Sequence, residues 1–181
     1  MNAYGNFRER SPTVFVHNSR ISHSVGADLS GNFMQDEHAQ RIIQIVLEWA
    51  KALPTICAVA LVGSHARGTA RADSDIDLIV LTTDPQRFRA DTAWLRAIGW
   101  NVIAARPAEW QDEDYGVLWS RRMWLEPNRD EVEIGFALPS WAEVKPIDPG
   151  TQRVITDGCR ALHDPEGLLT RLCAAMNGGP S

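Results

Sequence analysis

The spacing of apolar residues along the chain changes several times, and each change predicts an element. From His38 to Leu53, Ala39, Ile42, Ile43, Val46, Trp49, Ala50 and Leu53 recur at helical spacing, with Gln40, Gln44, Glu48 and Lys51 mostly opposite. Asp36 and Glu37 suit the positive end of that helix, and Pro54 stops it. Ile56 to Val62 is apolar at nearly every position, the pattern of a strand buried on both faces. A polar stretch with Gly and Arg follows, and Ile76 to Leu81 forms a second apolar run. Asp84-Pro85 reads as an N-cap and first helical residue, which predicts a helix to Ile98 closed by Gly99, with Phe88, Leu95 and Ile98 inward. Trp100 to Ala104 reads as a strand. Val117 to Leu125 and Glu131 to Leu138 read as a hairpin around Glu126-Pro127-Asn128-Arg129-Asp130. Beyond a Pro-rich connector from Lys145 to Gly150 come a turn at Asp157-Gly158, a short strand from Cys159 to Leu162 and a helix capped by Asp164-Pro165-Glu166 and ending near Met176.

This order of elements implies an α+β (or α/β) domain with a mixed β-sheet. Residues 1–35, rich in Ser, Asn, Gly and His without periodicity, read as a partly disordered N-terminal arm with a short edge strand at Thr13-Val14-Phe15-Val16. Residues 36–181 form the domain, with a last strand–helix unit over 151–177.

Bulk composition narrows the classes of function. No apolar run approaches the length that spans a bilayer, and the N-terminus lacks a hydrophobic signal region, so a cytoplasmic protein without a membrane partner is expected. A net charge of −5 argues against a broad grip on nucleic acid, yet it leaves room for a nucleotide. Cys57, Cys159 and Cys173 lack metal or redox spacing and read as reduced thiols, and the histidines lack zinc-site spacing.

The chemistry is concentrated in Gly63-Ser64-His65-Ala66-Arg67-Gly68-Thr69 and Ser74-Asp75-Ile76-Asp77-Leu78. Side chains alternate along a strand, so Asp75 and Asp77 share a face while Ile76 and Leu78 take the other. Two carboxylates held that close repel unless a cation lies between them, and Mg²⁺, bound through oxygen and completed by substrate phosphates, is the expected one. A pair of such ions, or Mn²⁺ in their place, would serve an in-line displacement. If Ser64 and Asp75 serve one site, the two apolar strands run antiparallel. The turn at Gly63 and Ser64 then offers backbone N–H groups and a hydroxyl to phosphate. A third acid is supplied by Glu131-Val132-Glu133-Ile134-Gly135-Phe136, where Val132, Ile134 and Phe136 share one face and the acids share the other. Glu133, flanked by core positions, is expected to ligate metal and to accept the proton of an acceptor hydroxyl. Arg67 is a candidate for neutralising a triphosphate, and one of Arg121 and Arg122 is expected to reach the site edge.

These residues resemble the DNA polymerase beta-like nucleotidyltransferase superfamily, in particular its minimal and aminoglycoside-type members. The resemblance is carried by Gly63-Ser64, Arg67-Gly68-Thr69, Ser74-Asp75-Ile76-Asp77-Leu78 and Val132-Glu133-Ile134-Gly135-Phe136, with weaker likeness over Val154 to Leu169. It implies the nucleotidyltransferase fold, a mixed sheet flanked by helices. It further implies transfer of a nucleoside monophosphate from an NTP, ATP by preference, to a hydroxyl acceptor with release of pyrophosphate. Catalysis would fall to Asp75, Asp77 and Glu133, which also bind metal, and nucleotide binding to Gly63, Ser64, Arg67 and Ser74. Glu133 stands where many relatives carry Asp. Known members also act as antitoxins bound to a small helical partner protein, so the acceptor is left open between a small molecule, such as an antibiotic, and a protein.

Overall fold

A computed structural model of the chain describes residues 29–177. Six strands form one mixed sheet in the order β3-β4-β5-β2-β1-β6. In chain order they are β1 (Ile56–Val62), β2 (Ile76–Thr82), β3 (Arg106–Asp114), β4 (Trp119–Glu126), β5 (Asp130–Ala137) and β6 (Cys159–His163). β2 and β5 run parallel, and the other neighbouring pairs are antiparallel. β2, at the middle of the sheet, is buried at all seven of its positions, which accounts for its apolar run from Leu78 to Leu81.

Helices cover both faces. On one, α1 (Leu29–Lys51), α3 (Pro85–Ala90) and α4 (Trp94–Ala97) pack on Val59, Leu61, Leu78, Val80, Ile134 and Phe136. Phe136 stacks between Phe88, at 4.8 Å, and Trp119, at 4.9 Å, with the edge of Trp94 closing the cluster. On the other face, α5 (Pro149–Thr156) and α6 (Leu168–Asn177) contribute Ile155, Leu169 and Leu172, which meet Ala58, Ala60, Ile79, Leu81 and Ala137. The small residues of β1 let these helices sit close. Asp77 and Glu133 belong to this second face, where the apolar cover stops.

The two antiparallel strands bearing the motif are as expected, with Val62 opposite Asp77. Other expectations are corrected. The first helix begins at Leu29, nine residues before His38, because nothing in the polar stretch interrupts a helix once it is nucleated. The helix expected over residues 84–98 is broken. Asp91 takes an extended conformation and its side chain accepts from the Ala93 N–H at 2.8 Å, which ends α3 and starts a separate turn. Trp100–Ile103 is a 3₁₀ helix instead of a strand. Trp100 turns back to donate its indole N–H to Leu95 O at 2.7 Å and Ile103 packs on the core three residues later, while Val102 stays exposed, so the segment follows a helical spacing and no alternation. β3, almost wholly polar and exposed, is held by pairing with β4 instead of by burial. α5 starts at the end of the Pro-rich connector and runs over residues 151–156, for which no element is expected, although Asp148-Pro149 repeats the Asp-Pro start of α3, and Asp148 accepts from Gly150 and Thr151. Residues 29–35 of the expected arm are thus helical, and its residues 1–28, with the edge strand, lie outside the described residues.

Candidate active site

The site begins where β1 ends. Gly63 has φ +68, a left-handed conformation that glycine adopts without strain. A Cβ there would lie 2.9 Å from Asp77 Oδ2, so a larger residue would displace the carboxylate. The chain then winds into the short helix α2 (Gly63–Arg67), which stops at Gly68 with φ 72. The Gly63 N–H is already used, donating to Gly158 O at 3.2 Å. The Ser64 hydroxyl is buried and has no hydrogen-bond partner. Arg67 leans its stem on Gly158 and pairs its guanidinium with the Asp157 carboxylate at 2.7 Å, bracing α2 against the turn before β6. Ser74 closes the loop back to β2, its hydroxyl accepting from the Arg71 N–H at 2.8 Å.

The acids converge as strand alternation requires. The parallel register sets Asp77 directly beside Glu133. Asp77 is 9% exposed and Glu133 2%, while Asp75, at the strand entrance, is half-buried. Asp77 Oδ1 is buried without a hydrogen-bond partner. Burial pushes the Asp77 carboxyl well above the usual carboxylate range, and the charges of Asp75 and Glu133 push it further, with Arg122 opposing them. Glu133 is fully engaged at both oxygens. Ser120 donates to Oε1 at 2.5 Å, and Arg122 donates to Oε2 from Nε at 3.0 Å and from Nη2 at 2.6 Å. The third corner of the same guanidinium meets Glu131 at 2.8 Å, and Trp124 donates its indole N–H to the other Glu131 oxygen at 3.2 Å.

Of the two arginines expected at the site edge, Arg122 is the one that arrives. Arg121 points to the opposite face, where it forms a bidentate pair with Asp112 and lies over the rings of Trp94 and Trp119. The structure brings Gly63, Ser64, Asp75, Asp77 and Glu133 together, whereas Arg67 is turned to Asp157. Sequence reading missed Ser120, Trp124 and the pairing role of Glu131. Alternation on β4 was the signal that could have found Ser120 and Trp124, since they flank Arg122 at two-residue spacing on its face.

Among the described residues no group of three or more His, Cys, Asp and Glu side chains forms a metal cage. A Mg²⁺ ion that takes its remaining ligands from a triphosphate asks for only one or two carboxylates. The unpartnered Asp77 Oδ1, with the charge of Asp75 acting on it, fits that donor set.

Residues 35–175 match the family model of streptomycin adenylyltransferase. The chain belongs to that family. Membership places it among the nucleotidyltransferases, and the paired aspartates and the glycine–serine turn all fall inside the matched span. Among curated proteins none matches the chain. Among solved structures it is similar to the Cid1 poly(U) polymerase, at 17% identity and a TM-score of 0.38, over 61% of this chain and 31% of that one. The chain thus spans about a third of the length of that structure.

Proposed function

We propose that this protein adenylylates a hydroxyl group on a small cationic acceptor, using ATP and Mg²⁺. The observation that carries the reading is the pair of orphaned atoms at the β1–β2 corner, a buried hydroxyl on Ser64 and a buried carboxylate oxygen on Asp77. A hydroxyl donor suits a phosphate oxygen, and a partnerless carboxylate oxygen suits a cation, so a metal–triphosphate would satisfy both. Asp75 and Asp77 would hold Mg²⁺, which when bound to the triphosphate would neutralise charge on the group being transferred.

The chain's own residues supply the rest. Gly63 keeps the backbone clear of Asp77, and Ser64 donates to the phosphates. Ser74 has its own proton left to donate, and Arg67, 38% exposed, is within a side-chain rotation of solvent on the same turn. The acceptor oxygen attacks the α-phosphorus, its proton passes to Glu133, and the bond to the β-phosphate oxygen breaks to release pyrophosphate.

A cationic acceptor is supported by the floor beside the site. The register places Glu109, Gln111 and Glu113 of β3 opposite Trp124, Arg122 and Ser120, on the face that carries Glu131 and Glu133. The family name points the same way, because streptomycin is a polycation with several hydroxyls. An enzyme consuming ATP would work in the cytoplasm, and no described helix is long and apolar enough to cross a membrane.

The test is direct. The protein, Mg²⁺ and ATP are incubated with a panel of hydroxylated polycations that includes streptomycin, and product mass and pyrophosphate are read. A mass gain of one AMP on an acceptor is expected, lost when Asp75→Ala and Asp77→Ala are combined. Pyrophosphate release that persists in the double variant would overturn the assignment.

A further inference from the structure

Arg122 is the cation to which both Glu131 and Glu133 are bonded, and its bonding is lopsided. Nε and Nη2 both fall on one oxygen of Glu133, at 3.0 and 2.6 Å, while Nη1 takes Glu131 at 2.8 Å. A guanidinium facing a carboxylate ordinarily spreads these two donors over two oxygens. Here Ser120 occupies the other Glu133 oxygen at 2.5 Å and leaves Arg122 the oxygen that remains. The two acids also differ in setting. Glu133 is 2% exposed and sits beside Asp77, whereas Glu131 is 31% exposed and is steadied separately by Trp124.

We propose that Arg122 is a resident counter-cation of the site, a positioning residue that holds Glu133 until metal binds and is then retained by Glu131 alone. The inference rests on the metal-binding reading above. Two physical facts drive it. A buried carboxylate in a row of acids stays ionised at low cost only beside a cation, so a site that binds metal reversibly gains from a substitute when the metal is gone. Glu133 also cannot serve a metal or accept a proton efficiently while a guanidinium holds one oxygen and a hydroxyl the other. Release of Oε2 requires the guanidinium to turn away, and the Nη1 bond to Glu131 gives it a hinge that keeps the charge within the site. Arg122 is 32% exposed, which leaves solvent-side room for that turn. A salt bridge serving stability alone would need neither the hinge nor the second acid.

The experiment measures Mn²⁺ binding to the full chain without nucleotide, by the electron paramagnetic resonance signal of free Mn²⁺. Arg122→Gln should bind Mn²⁺ at least about tenfold more tightly than the native chain, the change expected when one unit charge about 6 Å from a divalent ion is removed even at the dielectric of water. Arg129→Gln is the charge control. Arg129 is 59% exposed and pairs with Glu109 at 3.5 Å, so its loss should shift affinity by no more than about twofold. Glu131→Gln removes the hinge and should weaken Mn²⁺ binding, and this loss should shrink when Arg122→Gln is added. Melting curves confirm folding, and Arg122→Met takes the place of Arg122→Gln in every comparison if Arg122→Gln does not fold. A folded Arg122→Gln with unchanged or weaker Mn²⁺ binding overturns the proposal, as does an unchanged Glu131→Gln. An equal loss from Glu131→Gln in both backgrounds overturns it too, since that marks Glu131 as a simple ligand. If the native chain binds Mn²⁺ and only these comparisons fail, the metal site stands without the latch. If no variant binds Mn²⁺, both readings fall.

Discussion

Replacing Asp77 with asparagine should stabilise the metal-free protein while abolishing transfer. Asp77 Oδ1 is buried without a partner, and the carboxylate lies beside Glu133 in register and against the Gly63 turn. Asparagine keeps the shape and removes the charge. A buried polar group left unsatisfied costs about 1–3 kcal/mol, more when charged, so a gain of that order is expected. For a domain of this size 1 kcal/mol corresponds to roughly 2–4 °C in melting temperature.

The dependence on pH has a definite sign. Burial, with the charges of Asp75 and Glu133, raises the folded-state value of Asp77 above that of the unfolded chain. Over the interval between the two values the folded state binds more protons, so stability falls as pH rises through it. Below the unfolded value, near 3.8, the penalty is absent. The Asp77→Asn variant lacks this titration, so its advantage should widen as pH rises. Urea unfolding in the presence of a chelator, at pH 5 and pH 8, reads the difference. A variant less stable than the native chain at pH 8, or an advantage independent of pH, would refute the electrostatic account of this corner. Adding Mg²⁺ and ATP should raise the melting temperature of the native chain and leave that of the variant nearly unchanged.

Gly63→Ala should destabilise the fold by about 1–2 kcal/mol, the cost of a left-handed non-glycine residue, and should lower activity further because its Cβ meets the Asp77 carboxylate; urea unfolding and the transfer assay check each part. Phe136→Ala, which empties the ring stack between Phe88 and Trp119, should cost about 3–5 kcal/mol in the same unfolding measurement. Asp164→Ala should cost about 1 kcal/mol through loss of its cap on α6. Burial resists ionisation of Asp164, but bonds from Thr170, Leu169 and Leu168 outweigh it and hold the carboxyl below its usual range. The stability it contributes is therefore present above the unfolded value and lost as pH falls through the folded one, and the gap between native chain and variant should close in acid.

Much of the site was legible because it obeys strand alternation. Asp75 and Asp77 on one face, and Glu133 between Val132 and Ile134, follow from a period of two and need no tertiary information. The pairing of Glu133 with Arg122 did not follow. Arg121 and Arg122 are adjacent and alike, and which of them faces the acids depends on the register of β4 against β5, a property of two strands together. Arg121 found its place among Trp94, Trp119 and Asp112 for equally non-local reasons. β3 escaped notice because an edge strand held by backbone pairing carries no hydrophobic period, and Trp100 misled because a single buried tryptophan suits a 3₁₀ turn as well as a strand.

The topology explains why the acids meet at the strand entrances. β2 and β5 are parallel neighbours, so both begin at the same edge of the sheet, and Ile76 pairs with Val132 one step before Asp77 pairs with Glu133. β1 and β4 run the other way and finish there, which brings the Gly63-Ser64 turn to one side and Arg122 to the other. Had β5 been antiparallel to β2, Glu131 and Glu133 would enter from the opposite edge and the carboxylates could not share one cation. The apolar cover from α5 and α6 lies over Ile79, Leu81 and Ala137, a few residues further along the same strands. Asp77 is thus desolvated by that cover while its Oδ1 is left without a partner. Its burden in the metal-free fold and its attraction for a cation have the same physical origin, so a substitution that relieves the first should weaken the second.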